Sequence, residues 1–141
     1  MKDLKKIFSR RSFIFTPPLK KTMFGKAISS GVDIVCLELE DGIAPSDKTL
    51  ARERALDIIN TQKYNDNVEV LIRVNSIRES CGLLDITAIL NSKIQPDGLL
   101  IPKVKRYSSD KSHDTSPSHC ITRPYSWILS RSALFAFLYG P

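Results

Sequence analysis

The segment Val32–Leu39, "VDIVCLEL", is an almost unbroken apolar run. Such a run reads as a strand covered on both faces, the pattern of a parallel sheet buried beneath helices. Three further runs share its β-prone character: "SFIFT" (12–16), "VEVLIRVN" (68–75) and "LLIPKV" (99–104). Helix-length connections separate them. Between the first and second, Met23, Phe24, Ala27 and Ile28 keep a helical spacing, and Gly31 suits the C-terminal cap. Between the second and third, Ser46 is the expected N-cap, Asp47 matches the helix dipole, and Ala51, Ala55, Ile58 and Ile59 share a face. Between the third and fourth, Ser80 is the expected cap, and Leu83, Ile86 and Leu90 fall at i, i+3 and i+7. "QPDG" then supplies a turn.

The order β-α-β-α-β-α-β predicts an α/β fold with parallel strands and right-handed crossovers. Open doubly wound sheets and (β/α)8 barrels both begin this way, and in both the functional residues gather at the carboxyl ends of the strands. Those ends hold Pro17, then Glu40-Asp41-Gly42, then Arg73-Val74-Asn75, then Pro102-Lys103.

Composition narrows the function classes. The chain has 141 residues, 42% hydrophobic and 26% charged, as one globular domain does. No apolar stretch approaches the roughly 20 residues that cross a bilayer, so no membrane role is expected. The net charge of +6 is concentrated: residues 1–26 carry eight Lys or Arg against Asp3 alone. That excess reads first as a solvated basic face and second as a site for a phosphate-bearing ligand. No motif supports nucleic-acid binding. The basic start lacks a small-residue cleavage pattern, so a cytoplasmic protein is expected, with an organellar matrix left open. Cys36, Cys81 and Cys120 are too widely spaced for a disulfide framework or a zinc site.

After Tyr107 the βα rhythm stops. The Ser-rich stretch 108–120 reads as linker, and 125–139 as one short helix or an apolar tail. His113, His119 and Cys120 lack an evident fourth ligand and read as linker residues, not as a metal site.

The acids and Arg73 can be weighed by position alone. In strand alternation Glu38 and Glu40 share a face and Asp41 lies on the other, so one acid, Glu40, is expected to meet Arg73. A guanidinium at a strand end either grips a ligand carboxylate with two parallel bonds or only neutralises the neighbouring acids. The residues alone do not choose between the two.

"RRSFIFTPP", "KAISSGVDIVCLELEDGIAPSDKTLARERA", "VEVLIRVNS" and "DGLLIPKV" together resemble the HpcH/HpaI aldolase and citrate lyase β-subunit family, its citramalyl-CoA and malyl-CoA lyase-like members most. The resemblance covers residues 10–105. It implies a (β/α)8 barrel and a Mg²⁺-dependent C–C lyase acting on the CoA thioester of a small hydroxy acid. By position it makes Arg73 the catalytic, substrate-holding residue, with Lys26, Phe15 and Pro17 on the substrate side. Glu40 and Asp41 become the acids behind Arg73, and Asn75 and Lys103 become rim contacts. Pro18 stands where the family usually has Gly, which removes an N–H donor from that loop.

The family's two metal-binding carboxylates lie on strands beyond the "PKV" strand, and nothing after Val104 resembles those strands. The expectation is therefore the first four β/α units of a barrel, residues 1–106, from a truncated gene product, with 107–141 an irregular, non-homologous tail. No metal ligand is expected in this chain. The alternative is a catalytically inactive half-barrel, or a binding subunit that a second copy or another chain completes.

Overall fold

The computed structural model describes residues 10–62, 64, 67–104, 125–130 and 134–138. Ten elements follow in order: strand β1 (Phe13–Thr16), helix α1 (Lys21–Ser29), strand β2 (Ile34–Glu38), a 3-10 turn (Pro45–Asp47), helix α2 (Lys48–Thr61), strand β3 (Glu69–Arg73), helix α3 (Ser80–Leu90), and strands β4 (Gly98–Val104), β5 (Tyr125–Ser130) and β6 (Leu134–Leu138). The α/β alternation is as expected. Strands β1 to β4 are parallel and lie in chain order, in register at Phe13–Ile34, Ile34–Glu69 and Leu71–Gly98.

Alternation divides the sheet's two faces. Val35, Leu37, Val70, Ile72 and Val74 point to the helical side, where they bury with Phe24 and Ala27 of α1, Ala51, Ala55, Ile58 and Ile59 of α2, and Ile89 of α3. Burying one such aliphatic side chain stabilises the fold by about 1.5–3 kcal/mol. The other face carries Ile34, Cys36, Leu71 and Leu100, with Phe13 and Phe15 against them. At the amino ends of the strands, Glu69 binds Arg10 through two bonds of 2.7 Å. Gly31 takes φ +76°, the left-handed conformation of a helix terminator, as the sequence suggests.

Three local expectations are corrected. Ser46 does not cap α2: the 3-10 turn intervenes, Asp47 occupies the N-cap position, and the Ser46 hydroxyl donates to Asp47 Oδ1 at 3.2 Å. Ser80 does not cap α3 either, because Glu79 holds that position and Ser80 is the first helical residue. The stripe Leu83–Ile86–Leu90 is not the buried face of α3. Leu83 and Leu90 are 61% and 71% exposed, and Gly82, Asp85 and Ile89 face inward. The physical reason is a polar partner: Asp85 is drawn inside by two segments that need its carboxylate.

Within the stretch 125–139, expected as one short helix or an apolar tail, the described residues 125–130 and 134–138 are strands. Strand β5 pairs antiparallel with β4 and β6 antiparallel with β5, which extends the sheet to six strands. The sequences "YSWILS" and "LFAFL" are rich in the aromatic and branched residues that favour strands. The linker stretch with His113, His119 and Cys120 lies outside the described residues. No helix among the described residues is long and apolar enough to cross a membrane.

Candidate functional site

The carboxyl ends of β1 to β4 converge on Arg73. It closes β3 opposite Glu38, the last residue of β2, so the two side chains leave the same face of the sheet side by side. Arg73 Nη1 donates to Glu38 Oε2 at 2.9 Å. Past Glu38 the strand pleat stops. Ile43 N donates to Glu40 O in a turn, and this turn swings both following acids back over the guanidinium. Arg73 Nη2 lies 2.5 Å from Glu40 Oε2 and 3.2 Å from Asp41 Oδ2. All three acids therefore meet Arg73, not Glu40 alone. Alternation failed here because it holds only while the chain remains a strand.

Lys103 completes the cluster. The ladder to β5 shifts register between Ile101 and Val104, where Pro102 has no N–H to donate, and Lys103 takes φ +53°. Its ammonium reaches Glu40 Oε1 at 3.0 Å and Asp41 Oδ1 at 3.2 Å. The guanidinium carbon of Arg73 also stands 5.6 Å from the centre of the Phe15 ring, within cation–π range.

Two residues of this arrangement go beyond the sequence reading, which names Glu38 but gives the contact with Arg73 to Glu40 alone, and does not name Lys48. Glu38 is one: its Oε1 accepts from Glu40 N at 2.6 Å while Oε2 holds Arg73, so a single carboxylate sets both the turn and the guanidinium. Lys48 is the other, donating to Leu39 O at 2.8 Å and, at a shorter distance, to Glu40 O. A lysine as the first residue of a helix stands at the positive end of the helix dipole, where a cation is unfavourable. That misfit is the signal that could have found it.

The remaining candidates lie elsewhere. Lys26 is exposed in the last turn of α1. Pro17 is half-buried beside β1. Asn75 is not on the rim: it is 2% exposed, and its side-chain amide donates to Asp85 Oδ2 at 2.7 Å.

The electrostatics follow from three carboxylates around two cations. Burial raises the Glu40 carboxyl above its ordinary range, against the pull of Lys103 and Arg73. Burial alone would also raise Asp41, but Lys103 and Arg73 outweigh it and hold that carboxyl low. Burial disfavours the Arg73 cation, yet Glu38, Glu40 and Asp41 together raise its pKa. Four buried side-chain atoms among the described residues lack an aligned hydrogen bond: Thr16 Oγ1, both Glu40 oxygens and Arg73 Nε. Glu40 meets its cations as charge contacts off the hydrogen-bond direction. All four atoms belong to residues at or just beyond the carboxyl ends of β1, β2 and β3, the end where parallel α/β folds place their ligands.

A divalent cation does not fit these residues. Mg²⁺ requires near-octahedral oxygen ligands with charge to spare. Glu38, Glu40 and Asp41 are already met by Arg73 and Lys103, and among the described residues no group of three or more His, Cys, Asp or Glu side chains is arranged to hold a metal ion.

The comparisons with known proteins bear on the same region. The family model for HpcH/HpaI aldolase/citrate lyase matches residues 11–112. The chain belongs to the HpcH/HpaI aldolase/citrate lyase family. The mitochondrial citramalyl-CoA lyase of Homo sapiens is 32% identical over 71% of this chain and 29% of its own length. The L-malyl-CoA/β-methylmalyl-CoA lyase of Cereibacter sphaeroides is 32% identical over 67% of this chain and 30% of its own. Among solved structures, RipC from Yersinia pestis superposes with a TM-score of 0.53 at 27% identity, covering 71% of this chain and 37% of that one. CitE from Mycobacterium tuberculosis, in complex with magnesium, acetoacetate and coenzyme A, gives 0.54 at 25% identity, covering 69% and 34%. The chain thus spans about a third of the length of the family members it matches. Its four parallel strands with their helices are part of the barrel-type fold of the citrate lyase β subunits.

Proposed function

We propose that this chain carries the substrate-anchoring wall of a C–C lyase of the HpcH/HpaI family, with Arg73 as the group that grips the carboxylate of a CoA thioester of a small hydroxy acid. Citryl-, malyl- and citramalyl-CoA are the candidate substrates. In this reading residues 1–106 are the first four units of the barrel and 107–141 a segment foreign to it. The antiparallel course of β5 and β6, where a barrel of this type runs parallel, supports that division.

One observation carries the reading. Arg73 is a guanidinium held from behind by Glu38 and Glu40, both nearly buried, while its third acid, Asp41, is 61% exposed at the rim. An exposed ion pair contributes only about 0–1 kcal/mol. A ligand carboxylate can therefore take Asp41's place on Nη2 at little cost, while the two buried acids keep the fork aimed. Asp41 then turns to Lys103, which it already meets. Bound this way, the carboxylate end of the substrate is fixed, which supplies the orientation that C–C cleavage needs. Phe15 packs against the guanidinium and fixes the plane of the fork.

The test is calorimetric titration of the full chain with malyl-CoA. Binding that Arg73→Lys weakens and Asp41→Asn strengthens supports the reading, because Lys keeps the charge but loses the fork. Equal binding in wild type and Arg73→Lys overturns the assignment.

A second reading, a half-barrel without catalysis of its own that another chain completes, is favoured by the poor fit of the acid cluster to a divalent cation. Turnover of malyl-CoA by the purified chain with Mg²⁺, abolished in Arg73→Ala, overturns it.

A further inference from the structure

Behind the site lies a second buried polar cluster. Asp85, on the inner face of α3, is fully buried. Its Oδ1 accepts from Arg52 Nε at 2.7 Å, and its Oδ2 accepts from the backbone N–H of Asn75 at 2.8 Å and from Asn75 Nδ2 at 2.7 Å. We propose that Asp85 is a positioning residue for Arg73, clamping together from behind the two chain segments whose charges meet at the strand ends.

The connections run as follows on each side. Asn75 is two residues past Arg73. Between them Val74 N donates to Leu100 O at 3.2 Å, and Arg73 O accepts from Leu39 N at 3.0 Å. The backbone from 73 to 75 is thus tied to β2's end, to β4 and to Asp85. On the other side, Arg52 stands one helical turn after Lys48 on α2, and Lys48 holds the carbonyls of Leu39 and Glu40. The single carboxylate of Asp85 therefore links the turn that bears Glu40 and Asp41 to the strand that bears Arg73.

Gly82 lets the clamp close. A Cβ at this position would lie 2.2 Å from Ser76 O and 2.7 Å from Asn75 O, so α3 rests directly on the backbone of the loop after Arg73.

Stability alone is a poor reason for such a cluster. A buried ion pair is often no more stabilising than apolar residues of the same volume, because desolvation offsets the attraction. What apolar side chains cannot supply is direction, and three donors converging on one carboxylate fix the loop in a single geometry.

The proposal rests on the reading of Arg73 as the anchoring group, so its test reads Arg73 directly and without ligand. In the ¹⁵N-labelled full chain, the Nε–H signal of Arg73 is assigned by its loss in Arg73→Lys. Asp85→Asn is expected to shift or broaden that signal and to speed hydrogen exchange at the Asn75 amide by roughly tenfold or more. Ile59→Ala, a core change on α2, serves as the control that lowers the urea midpoint without moving the Arg73 signal. If Asp85→Asn lowers the midpoint as Ile59→Ala does and leaves the Arg73 signal in place, the clamp is merely structural and the proposal falls. Should Asp85→Asn not fold, Asn75→Ala removes one bond and leaves Asp85 its other two partners. A smaller shift of the same signal is then expected, and no shift overturns the proposal. A chain that shows the shift but binds no thioester keeps the clamp and loses only the ligand reading.

Discussion

Gly82→Ala sets two well-known effects against each other at one position. Alanine is the better helix former by about 1 kcal/mol, and Gly82 has no positive φ that would strain it. Against this stands the approach of α3 to the loop. The new Cβ would sit 2.2 Å from Ser76 O, 2.6 Å from Ser76 C and 2.7 Å from Asn75 O, all of them backbone atoms that no rotamer change can move aside. Relief requires α3 or the loop to shift by about 1 Å, and overpacking of this kind costs about 1–3 kcal/mol. The same shift stretches the 2.8 Å bond from Asn75 N to Asp85, and a buried bond left unmade costs about 1–3 kcal/mol more. Set against the helix gain, the net loss is about 1–5 kcal/mol, with a middle value of about 3 kcal/mol. With a urea slope of about 1–2 kcal/mol per molar, that middle value lowers the unfolding midpoint by roughly 1.5–3 M. Equilibrium urea unfolding followed by far-UV circular dichroism measures it. A midpoint unchanged or raised would show that α3 has room to move, and the account of the clamp's close packing would be refuted.

Three further outcomes follow from the charges. Arg52→Met leaves Asp85 buried with its charge half-compensated and should cost about 3–5 kcal/mol in urea unfolding, whereas Lys21→Met, which breaks an exposed pair with Asp57, should change stability by no more than about 0.5 kcal/mol. Asp33 is held at about 2, below its ordinary 3.8, first by the side chain and backbone N–H of Arg11 and then by Ser12. A depressed folded pKa contributes stability that is complete above the unfolded value and is lost as pH falls through the folded one, so Asp33→Asn should flatten the loss of urea midpoint from pH 4 to pH 2. For Glu40 the sign reverses. Burial raises its folded pKa, so ionising it opposes folding as pH climbs above 4.5, and Glu40→Gln should gain on wild type between pH 4.5 and 7. Parallel midpoints across that range would contradict the burial argument.

Much of the frame could be read from the residues. Val32–Leu39 reads as a covered parallel strand because the apolar run is too short for a buried helix and lies between helix-length connections, and Ala51, Ala55, Ile58 and Ile59 lie as their spacing requires. The family motifs led to Arg73 and Glu40 for the same reason: they stand where strands end. The errors have a common cause, which is that polar partners outrank period. Asp85 turned α3 so that Gly82, not Leu83, faces the sheet. Glu38 bent the chain after β2, so three acids and not one reach Arg73. Neither partner was visible from one segment alone. The register of Glu38 against Arg73 would have exposed the second error, since it places their side chains together on one face.

The strand order has a consequence for how the chain acquires its shape. Each of β2 to β4 pairs with the strand immediately before it in the chain, so on arrival it finds one partner already made. Each pairing nevertheless joins residues 21 to 35 apart in the chain, as Phe13–Ile34 and Ile34–Glu69 show, and parallel pairing across such separations is slow to close. On the ribosome, β2 can dock on β1, and β3 on β2, in the order in which they emerge, with α2 already folding over them. Arg73 would then find Glu38 and Glu40 waiting in place. The charge of the guanidinium would be matched as β3 is laid down, before β4 brings Lys103 to the other side of the same acids.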